Sequence, residues 1–197
     1  MMERIPMIVK NLFPKHEYDA LYEHLFNLEK GADWDDEESG SFFFADPDLG
    51  RYIYSDKTVE EHGEKLVPLA RDIFKSDTLL MSYSLFSHYE GPKANLHKHT
   101  DSNACTYTLD MCLYQTEPWD LYVEDKAYRL YPNEGLAFLG EEQEHWREAY
   151  PNPDIQKVGM MFFHFVEPDH WFFEENPDKL KKGMERWPKW QASTQRD

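Results

Sequence analysis

Residues 79–101 read LLMSYSLFSHYEGPKANLHKHTD and mark the change from helical to extended periodicity along the chain. Leu79–Tyr89 is rich in aromatic and apolar side chains, which is typical of a β-strand. A Gly-Pro pair ends this strand, and His99 and Asp101 follow in the next extended turn. Because side chains at positions i and i+2 of an extended chain share a face, these two are predicted to converge on one point.

Extended segments continue to residue 166, separated by Pro and Gly residues. The further predicted strands are Thr106–Gln115, Trp119–Glu124, Tyr128–Tyr131, Gly135–Leu139 and Gln156–Val166. Two amphipathic helices are predicted ahead of the strands, over Lys15–Lys30 and Thr58–Lys75, and Pro68 predicts a kink or break in the second near Val67. Short strands preceded by helices favour a mainly β, α+β fold, a sandwich or barrel with flanking helices.

The length of 197 residues fits a single domain. We expect an N-terminal helical buttress over residues 1–77, a β-rich core over 78–169 and a C-terminal extension of helices or turns over 170–197. The acidic segment Glu29–Asp48 is interpreted as a solvated loop. The two cysteines, Cys105 and Cys112, would point to opposite faces of one strand, so no disulfide is expected.

The charge balance restricts the classes of partner. With 21 Lys+Arg and 38 Asp+Glu, the net charge is 21 − 38 = −17, which repels phosphate backbones and anionic lipids. Nucleic-acid and membrane-surface binding are therefore not expected. No apolar run approaches the roughly 18–20 residues that span a bilayer. Because Met1–Lys10 also lacks a signal-peptide pattern, we expect a cytoplasmic protein.

A third side chain completes a candidate metal site. His145 lies 145 − 101 = 44 residues after Asp101, just beyond the predicted strand Gly135–Leu139. Two histidines and one carboxylate with open positions form the ligand set of non-haem Fe(II) oxygenases. The His-x-Asp pattern of His99 and Asp101, taken alone, is more typical of a turn with hydrogen-bonded polar side chains.

Four segments occur in an order that resembles a known family. They are YSLFSHYEG at 83–91, HTD at 99–101, LYPNEGLAF at 130–138, and HWRE at 145–148 followed by MMFFHFV at 160–166. Over roughly residues 79–169 they resemble Fe(II)/2-oxoglutarate-dependent oxygenases, particularly the prolyl-4-hydroxylase-like group. The resemblance implies a double-stranded β-helix, the cupin-like jelly roll.

The same resemblance implies chemistry and roles. Fe(II) would be bound by His99, Asp101 and His145, and a substrate would be hydroxylated with dioxygen and the cosubstrate 2-oxoglutarate, giving succinate and carbon dioxide. The distal carboxylate of 2-oxoglutarate needs a buried cation, because an unpaired buried charge is costly. Arg147 would share a strand face with His145, whereas Lys157 begins the last strand, where the prolyl-hydroxylase-like group usually places its basic residue. Both stay open, with Arg147 favoured.

Further side chains are assigned around this site. The resemblance gives Tyr89, ten residues before His99, a hydrogen bond to the cosubstrate. His97 is expected at the entrance, and His88 and His164 in the core or beside the ligands. The substrate is expected to be a small amino-acid-like molecule or a peptide or protein side chain. Two alternatives are a cupin-type metalloenzyme that does not use 2-oxoglutarate and a non-catalytic jelly-roll binding module.

Overall fold

The computed structural model describes residues 5–31, 42–46, 50–91, 94–150, 152 and 157–188. Its strands are β1 Met7–Val9, β2 Phe42–Asp46, β3 Gly50–Tyr54, β4 Leu80–Glu90, β5 Leu96–His99, β6 Tyr107–Gln115, β7 Leu121–Val123, β8 Lys126–Tyr128, β9 Gly135–Phe138, β10 His145–Arg147 and β11 Lys157–Val166. Its α-helices are α1 Lys15–Gly31, α2 Lys57–Glu64, α3 Val67–Phe74, α4 Trp171–Glu175 and α5 Pro177–Arg186, and Asn103–Cys105 forms a 3-10 turn.

Two antiparallel sheets face each other. The major sheet has the order β1-β9-β6-β11-β4-β3-β2, and the minor sheet has the order β5-β10-β7-β8. Side chains of both sheets form one buried apolar cluster, which includes Val158 and Leu136 from the major sheet and Leu121 and Val123 from the minor sheet. This is the expected mainly β fold with flanking helices, a double-stranded β-helix. We call the space between its sheets the chamber.

Strand β11 shows how the major sheet separates two environments. Val158 and Met160 belong to the apolar cluster that faces the chamber. Met161, Phe163 and Phe165 belong to a second cluster that also contains side chains of α1, α2 and α3. Successive side chains of a strand point to opposite faces, so one strand contributes to both cores.

The predicted second helix is interrupted as expected. It consists of α2 and α3, and Pro68 lies in the first turn of α3, where its missing N–H costs no helical hydrogen bond. Asp56 caps α2 by accepting a hydrogen bond from the Val59 N–H at 3.0 Å. The same carboxylate lies 2.9 Å from Nε2 of His24, which ties α1 to the start of α2.

Several predicted strand boundaries are wrong. The extended segment Tyr128–Tyr131 ends as a strand at Tyr128, because β8 begins at Lys126 directly after a two-residue turn. Glu124 in that turn has a φ of 55°, which closes the hairpin early. Within the predicted Trp119–Glu124 strand only β7 forms.

Four short strands were not predicted. Strands β1, β2, β3 and β5 have three to five residues each, too few to give a clear period of two. Strand β10, which begins at His145, was expected from the family resemblance. Strand β2 lies inside the acidic segment interpreted as a loop, and residues 32–41 and 47–48 of that segment lie outside the described residues. Strands β1, β2 and β3 are N-terminal to residue 77 and extend the major sheet at its two edges.

The remaining chain agrees with expectation in part. Helices α4 and α5 form the C-terminal extension as far as it is described. Cys105 and Cys112 are free and buried. They do not share a strand as was assumed from the sequence, because Cys105 lies in the 3-10 turn and Cys112 in β6. No helix among the described residues combines the length and the hydrophobicity that crossing a bilayer requires.

Candidate metal centre and carboxylate pocket

Two histidines meet across neighbouring strands of the minor sheet. His99 ends β5 and His145 begins β10, and the antiparallel register places them opposite each other. Directly opposed residues project from the same face, and the ring centroids are 4.3 Å apart. Strand β5, which was not predicted, and strand β10 thus position both imidazoles.

Asp101 reaches the pair from the turn beyond β5. Its backbone N–H donates to the carbonyl oxygen of Gly140 at 2.9 Å, which holds the turn against the segment that leads into β10. Its Oδ1 lies 3.5 Å from Nε2 of His99 and 3.5 Å from Nε2 of His145. The structure therefore brings the three predicted ligands together, and one donor atom from each lies within 4.8 Å of the others.

The outer nitrogens of both rings are held by the backbone. Nδ1 of His99 lies 2.7 Å from the His97 carbonyl oxygen, and Nδ1 of His145 lies 3.0 Å from the Gln143 carbonyl oxygen. A carbonyl only accepts, so each Nδ1 carries a hydrogen, and Nε2 is the nitrogen of each ring that faces Asp101. A protonated Nε2 donates to the carboxylate, whereas the neutral ring has an Nε2 lone pair for a cation. Two lone pairs and a carboxylate oxygen turned toward one another form a donor set that suits a divalent cation.

The charges at the three residues depend on one another. Burial opposes ionisation of Asp101, but hydrogen bonds from His145 and His99 outweigh it and hold the pKa of this carboxyl well below its usual range. The hydrogen bond to Asp101 in turn raises the pKa of His99. A bound cation would replace the proton that His99 and Asp101 share in their hydrogen bond.

Gly140 is required by the close packing behind Asp101. A Cβ atom at this position would lie 2.4 Å from Oδ2 of Asp101, 2.6 Å from the Cys105 carbonyl oxygen and 2.7 Å from Oγ1 of Thr108. Real contacts are not that short, so any other residue displaces the carboxylate or the backbone of the 3-10 turn. The glycine keeps Asp101 at its observed distance from the two imidazoles.

Arg147 lies inside the protein, two residues beyond His145 on β10. Its side chain is 5% exposed. Nη1 donates to the Trp119 carbonyl oxygen, Nη2 lies 3.5 Å from Sδ of Met160, and the guanidinium stacks 5.0 Å from the Trp119 ring centroid. Burial lowers the pKa of Arg147. Among the described residues no carboxylate lies within ion-pair distance of this buried cation.

Lys157, the other candidate cation, lies elsewhere. It pairs with Glu90 at 2.9 Å, and both side chains are about half exposed. It lines a surface cavity together with Tyr22 and Phe26 of α1. That cavity is on the helical side of the major sheet, whereas the neighbouring residue Val158 faces the chamber. The structure therefore does not bring Lys157 to the three predicted ligands.

Tyr89 of β4 lies in the chamber. It is 2% exposed, and its ring packs edge-on against Trp119 with centroids 5.4 Å apart. Burial raises the pKa of its phenol, which keeps its proton. The Tyr89 phenol and the Arg147 guanidinium interact electrostatically, so the two groups lie in the same part of the chamber.

A cavity of about 200 Å³ opens onto the three predicted ligands. Besides them it is lined by side chains that include Tyr83, Tyr89, Cys105, Asp110, Phe162 and His164. From the sequence, the alternation of Asp110 with apolar neighbours indicates either a pocket-lining or a packed residue, with packing favoured, and His164 is expected in the core or beside the ligands. The structure places both side chains in the wall of this cavity.

A second group of donors overlaps the first. Asp101, Cys105 and His164 also offer one atom each within 4.8 Å of one another. Nδ1 of His164 lies 3.1 Å from the Thr108 hydroxyl, and burial lowers the pKa of this imidazole to about 4. Burial also raises the pKa of the Cys105 thiol to about 11. These two groups are therefore neutral and form a polar wall behind Asp101.

The remaining histidines are separate from the cavity. The side chain of His97 is exposed, and His97 contributes its carbonyl oxygen to the site. His88 is buried, and its Nδ1 lies 2.6 Å from the Tyr114 hydroxyl. His88 also lines the surface cavity on the helical side of the major sheet.

Comparison with known proteins identifies the fold. No family model matches the chain, and no curated protein sequence matches it. A prolyl-4-hydroxylase from Pseudomonas putida superposes with a TM-score of 0.56 at 10% identity, covering 80% of this chain and 90% of that chain. EctD from S. alaskensis with bound Fe gives 0.59 at 12% identity, covering 80% of this chain and 72% of that chain.

A third similar structure was determined with ligands. The epimerase SnoN, in complex with Fe3+, alpha ketoglutarate and nogalamycin RO, gives a TM-score of 0.58 at 10% identity, covering 80% of this chain and 78% of that chain. The resemblance to Fe(II)/2-oxoglutarate-dependent oxygenases is thus confirmed at the level of the fold.

Proposed function

We propose that this protein is a non-haem oxygenase that uses Fe(II), dioxygen and 2-oxoglutarate to hydroxylate a small molecule or a peptide side chain, with succinate and carbon dioxide as coproducts. The observation that carries the proposal is the convergence of two imidazole Nε2 atoms on one oxygen of Asp101, each at 3.5 Å. This ligand set leaves positions open for a cosubstrate and dioxygen. The fold shared with proteins of this class supports it.

The chain contributes a fixed and charge-matched ligand set. His99, Asp101 and His145 would hold the iron, and the carboxylate of Asp101 offsets part of its charge. Backbone carbonyl groups fix both imidazoles in the tautomer that ligates through Nε2. When bound, iron and the 2-oxo acid supply the dioxygen activation that oxidation of a C–H bond requires.

Arg147 is the better supported partner for the distal carboxylate of 2-oxoglutarate. A guanidinium binds a carboxylate through two parallel hydrogen bonds, and this one is buried with no acidic partner among the described residues. Tyr89, protonated and nearby, would donate a further hydrogen bond. The net charge of −17 favours a neutral or cationic substrate over a phosphorylated one.

The test is succinate release from 2-oxoglutarate by protein loaded anaerobically with Fe(II) and then exposed to oxygen. We expect turnover that is lost in His99→Ala and kept in His97→Ala, since His97 contributes only its backbone carbonyl. Arg147→Met is expected to weaken 2-oxoglutarate binding about ten- to a hundredfold, because a charge-assisted contact is worth about 1.5–3 kcal/mol. Lys157→Met is the matched control and should leave binding unchanged.

Other results would contradict the proposal in different ways. Stoichiometric iron binding that depends on His99, without any 2-oxoglutarate binding, would favour a cupin-type metalloenzyme that does not use this cosubstrate. Absence of iron binding would favour a non-catalytic jelly-roll module. Loss of 2-oxoglutarate binding in Lys157→Met but not in Arg147→Met would reverse the assignment of the cation.

A further inference from the structure

Asp110 is a buried acid that has no obvious partner. It lies in the middle of β6, in register with Leu136 of β9 and Phe162 of β11, and it lines the cavity beside the predicted ligands. The residue is 2% exposed, and its Oδ1 accepts no hydrogen bond among the described residues. An unpaired buried carboxylate is costly, so its retention in the chamber calls for a physical reason.

The surroundings keep this side chain in its neutral form. Burial, reinforced by the nearby charge of Asp101, raises the pKa of the Asp110 carboxyl well above its usual range, and Arg147 offsets this only in part. A protonated carboxyl is a hydrogen-bond donor as well as an acceptor. Asp110 can therefore donate to an anion in the same chamber, where an ionised carboxylate would repel it.

Asp110 and Arg147 are neighbours on facing walls of the chamber. Met160, which contacts Nη2 of Arg147, is in register with Cys112 of β6. Cys112 is two residues from Asp110 and faces the same side of the sheet. Asp110 therefore interacts electrostatically both with Asp101, a predicted metal ligand, and with the Arg147 guanidinium, which has no carboxylate partner among the described residues.

We propose that Asp110 donates a hydrogen bond to the same carboxylate of 2-oxoglutarate that Arg147 binds. This inference rests on the proposed function and adds a second recognition group to it. One carboxylate of the ligand would bind both side chains at once, since it accepts from the Arg147 guanidinium on one side and from the Asp110 hydroxyl on the other. Asp110 acts here as a binding residue and takes no part in the oxidation.

Binding of 2-oxoglutarate, measured by calorimetry on Mn(II)-loaded protein without oxygen, tests the inference. Asp110→Leu removes the donor and is expected to weaken binding about tenfold or more. Asp110→Asn keeps an N–H donor and should stay within about threefold of the unmodified protein. With 2-oxopentanoate, whose methyl group replaces the distal carboxylate, all three proteins should bind equally.

Each alternative outcome is distinct. Equal affinity of Asp110→Leu and the unmodified protein for 2-oxoglutarate would overturn the inference. So would equal loss in Asp110→Asn and Asp110→Leu, which would indicate an ionised Asp110 that binds a cationic group. Mn(II) binding by each variant shows that the site has folded. If the unmodified protein binds Mn(II) but not 2-oxoglutarate, the proposed function itself fails and the inference fails with it.

Discussion

His99 and His145 face each other across strands β5 and β10, with ring centroids 4.3 Å apart and no covalent link between the strands. A cation held by both rings would join two strands of the minor sheet. Binding to the folded state alone raises the free energy of unfolding by about 2.7 kcal/mol at a ligand concentration of 100 times Kd. We therefore expect Mn(II) to stabilise the protein by that order, measured by urea denaturation.

The matched variants for this metal effect are His145→Ala and His97→Ala. The first should lose the stabilisation by Mn(II), and the second should retain it, because the His97 side chain is exposed. Equal stabilisation of both variants would place the cation elsewhere.

Gly140→Ala is predicted to weaken metal binding without removing a ligand. The added Cβ would overlap Oδ2 of Asp101 and the Cys105 carbonyl oxygen, so the carboxylate or the backbone of the 3-10 turn must move, which disturbs the ligand geometry. We expect Mn(II) affinity to fall by at least about tenfold, a loss of about 1.4 kcal/mol, in a calorimetric titration. Gly135→Ala is the control, since its nearest contact is the flexible end of Leu12 at 3.3 Å. Unchanged affinity in Gly140→Ala would contradict the role of Gly140 in holding Asp101 at the metal site.

His164 is predicted to make the protein less stable in mild acid. Burial lowers its pKa to about 4, whereas an unfolded histidine titrates near 6.5. Between these values the unfolded chain binds the proton and the folded chain does not, so stability falls as the pH decreases from about 6.5 to about 4. The loss is on the order of 3 kcal/mol across this window.

The His164 effect is measured as the free energy of unfolding against pH. His164→Gln retains a polar side chain that does not titrate, so its curve should be flatter than that of the unmodified protein in this window. If the two curves have the same slope, His164 is not the group responsible.

Asn133 is predicted to anchor the segment before α1. Its side chain accepts from the Phe13 N–H at 2.9 Å and donates to the Phe13 carbonyl oxygen at 2.8 Å, and its own φ is 65°. Asn133→Ala loses both hydrogen bonds and strains the backbone, so we expect about 2–4 kcal/mol of destabilisation by urea denaturation. Asn133→Gly relieves the strain and should lose less. Equal losses would assign the whole effect to the hydrogen bonds.

The three candidate metal ligands predicted from the sequence do converge in the structure. The structural cause differs from the one that was predicted. His99 and Asp101 were paired because alternate residues of a strand share a face, but β5 ends at His99. Asp101 reaches the site through its backbone bond to Gly140, a contact between distant segments that periodicity does not reveal. The placement of Arg147 beside His145 did follow from strand alternation, because β10 forms.

The surroundings of Lys157 and Asp110 could not be predicted from strand alternation. A shift of one residue along a strand moves each side chain to the opposite face of the sheet. The register of β11 could not be predicted from the sequence. In the structure Val158 faces the chamber, so Lys157 faces the helical side. Asp110 was visible only as a polar residue in an alternating strand. Whether a buried acid has a partner depends on side chains from other strands, so its isolation emerged only from the folded structure.

The division of β11 between two cores has a consequence for how such proteins diversify. Val158, Met160 and Phe162 border the chamber, whereas Met161, Phe163 and Phe165 hold the helices. Phe162 lines the cavity, so a substitution there alters the shape that a bound molecule meets and leaves the helix-bearing side of the sheet intact. The chamber-facing residues of this strand can therefore change during evolution, while the alternate residues keep the helices packed against the sheet.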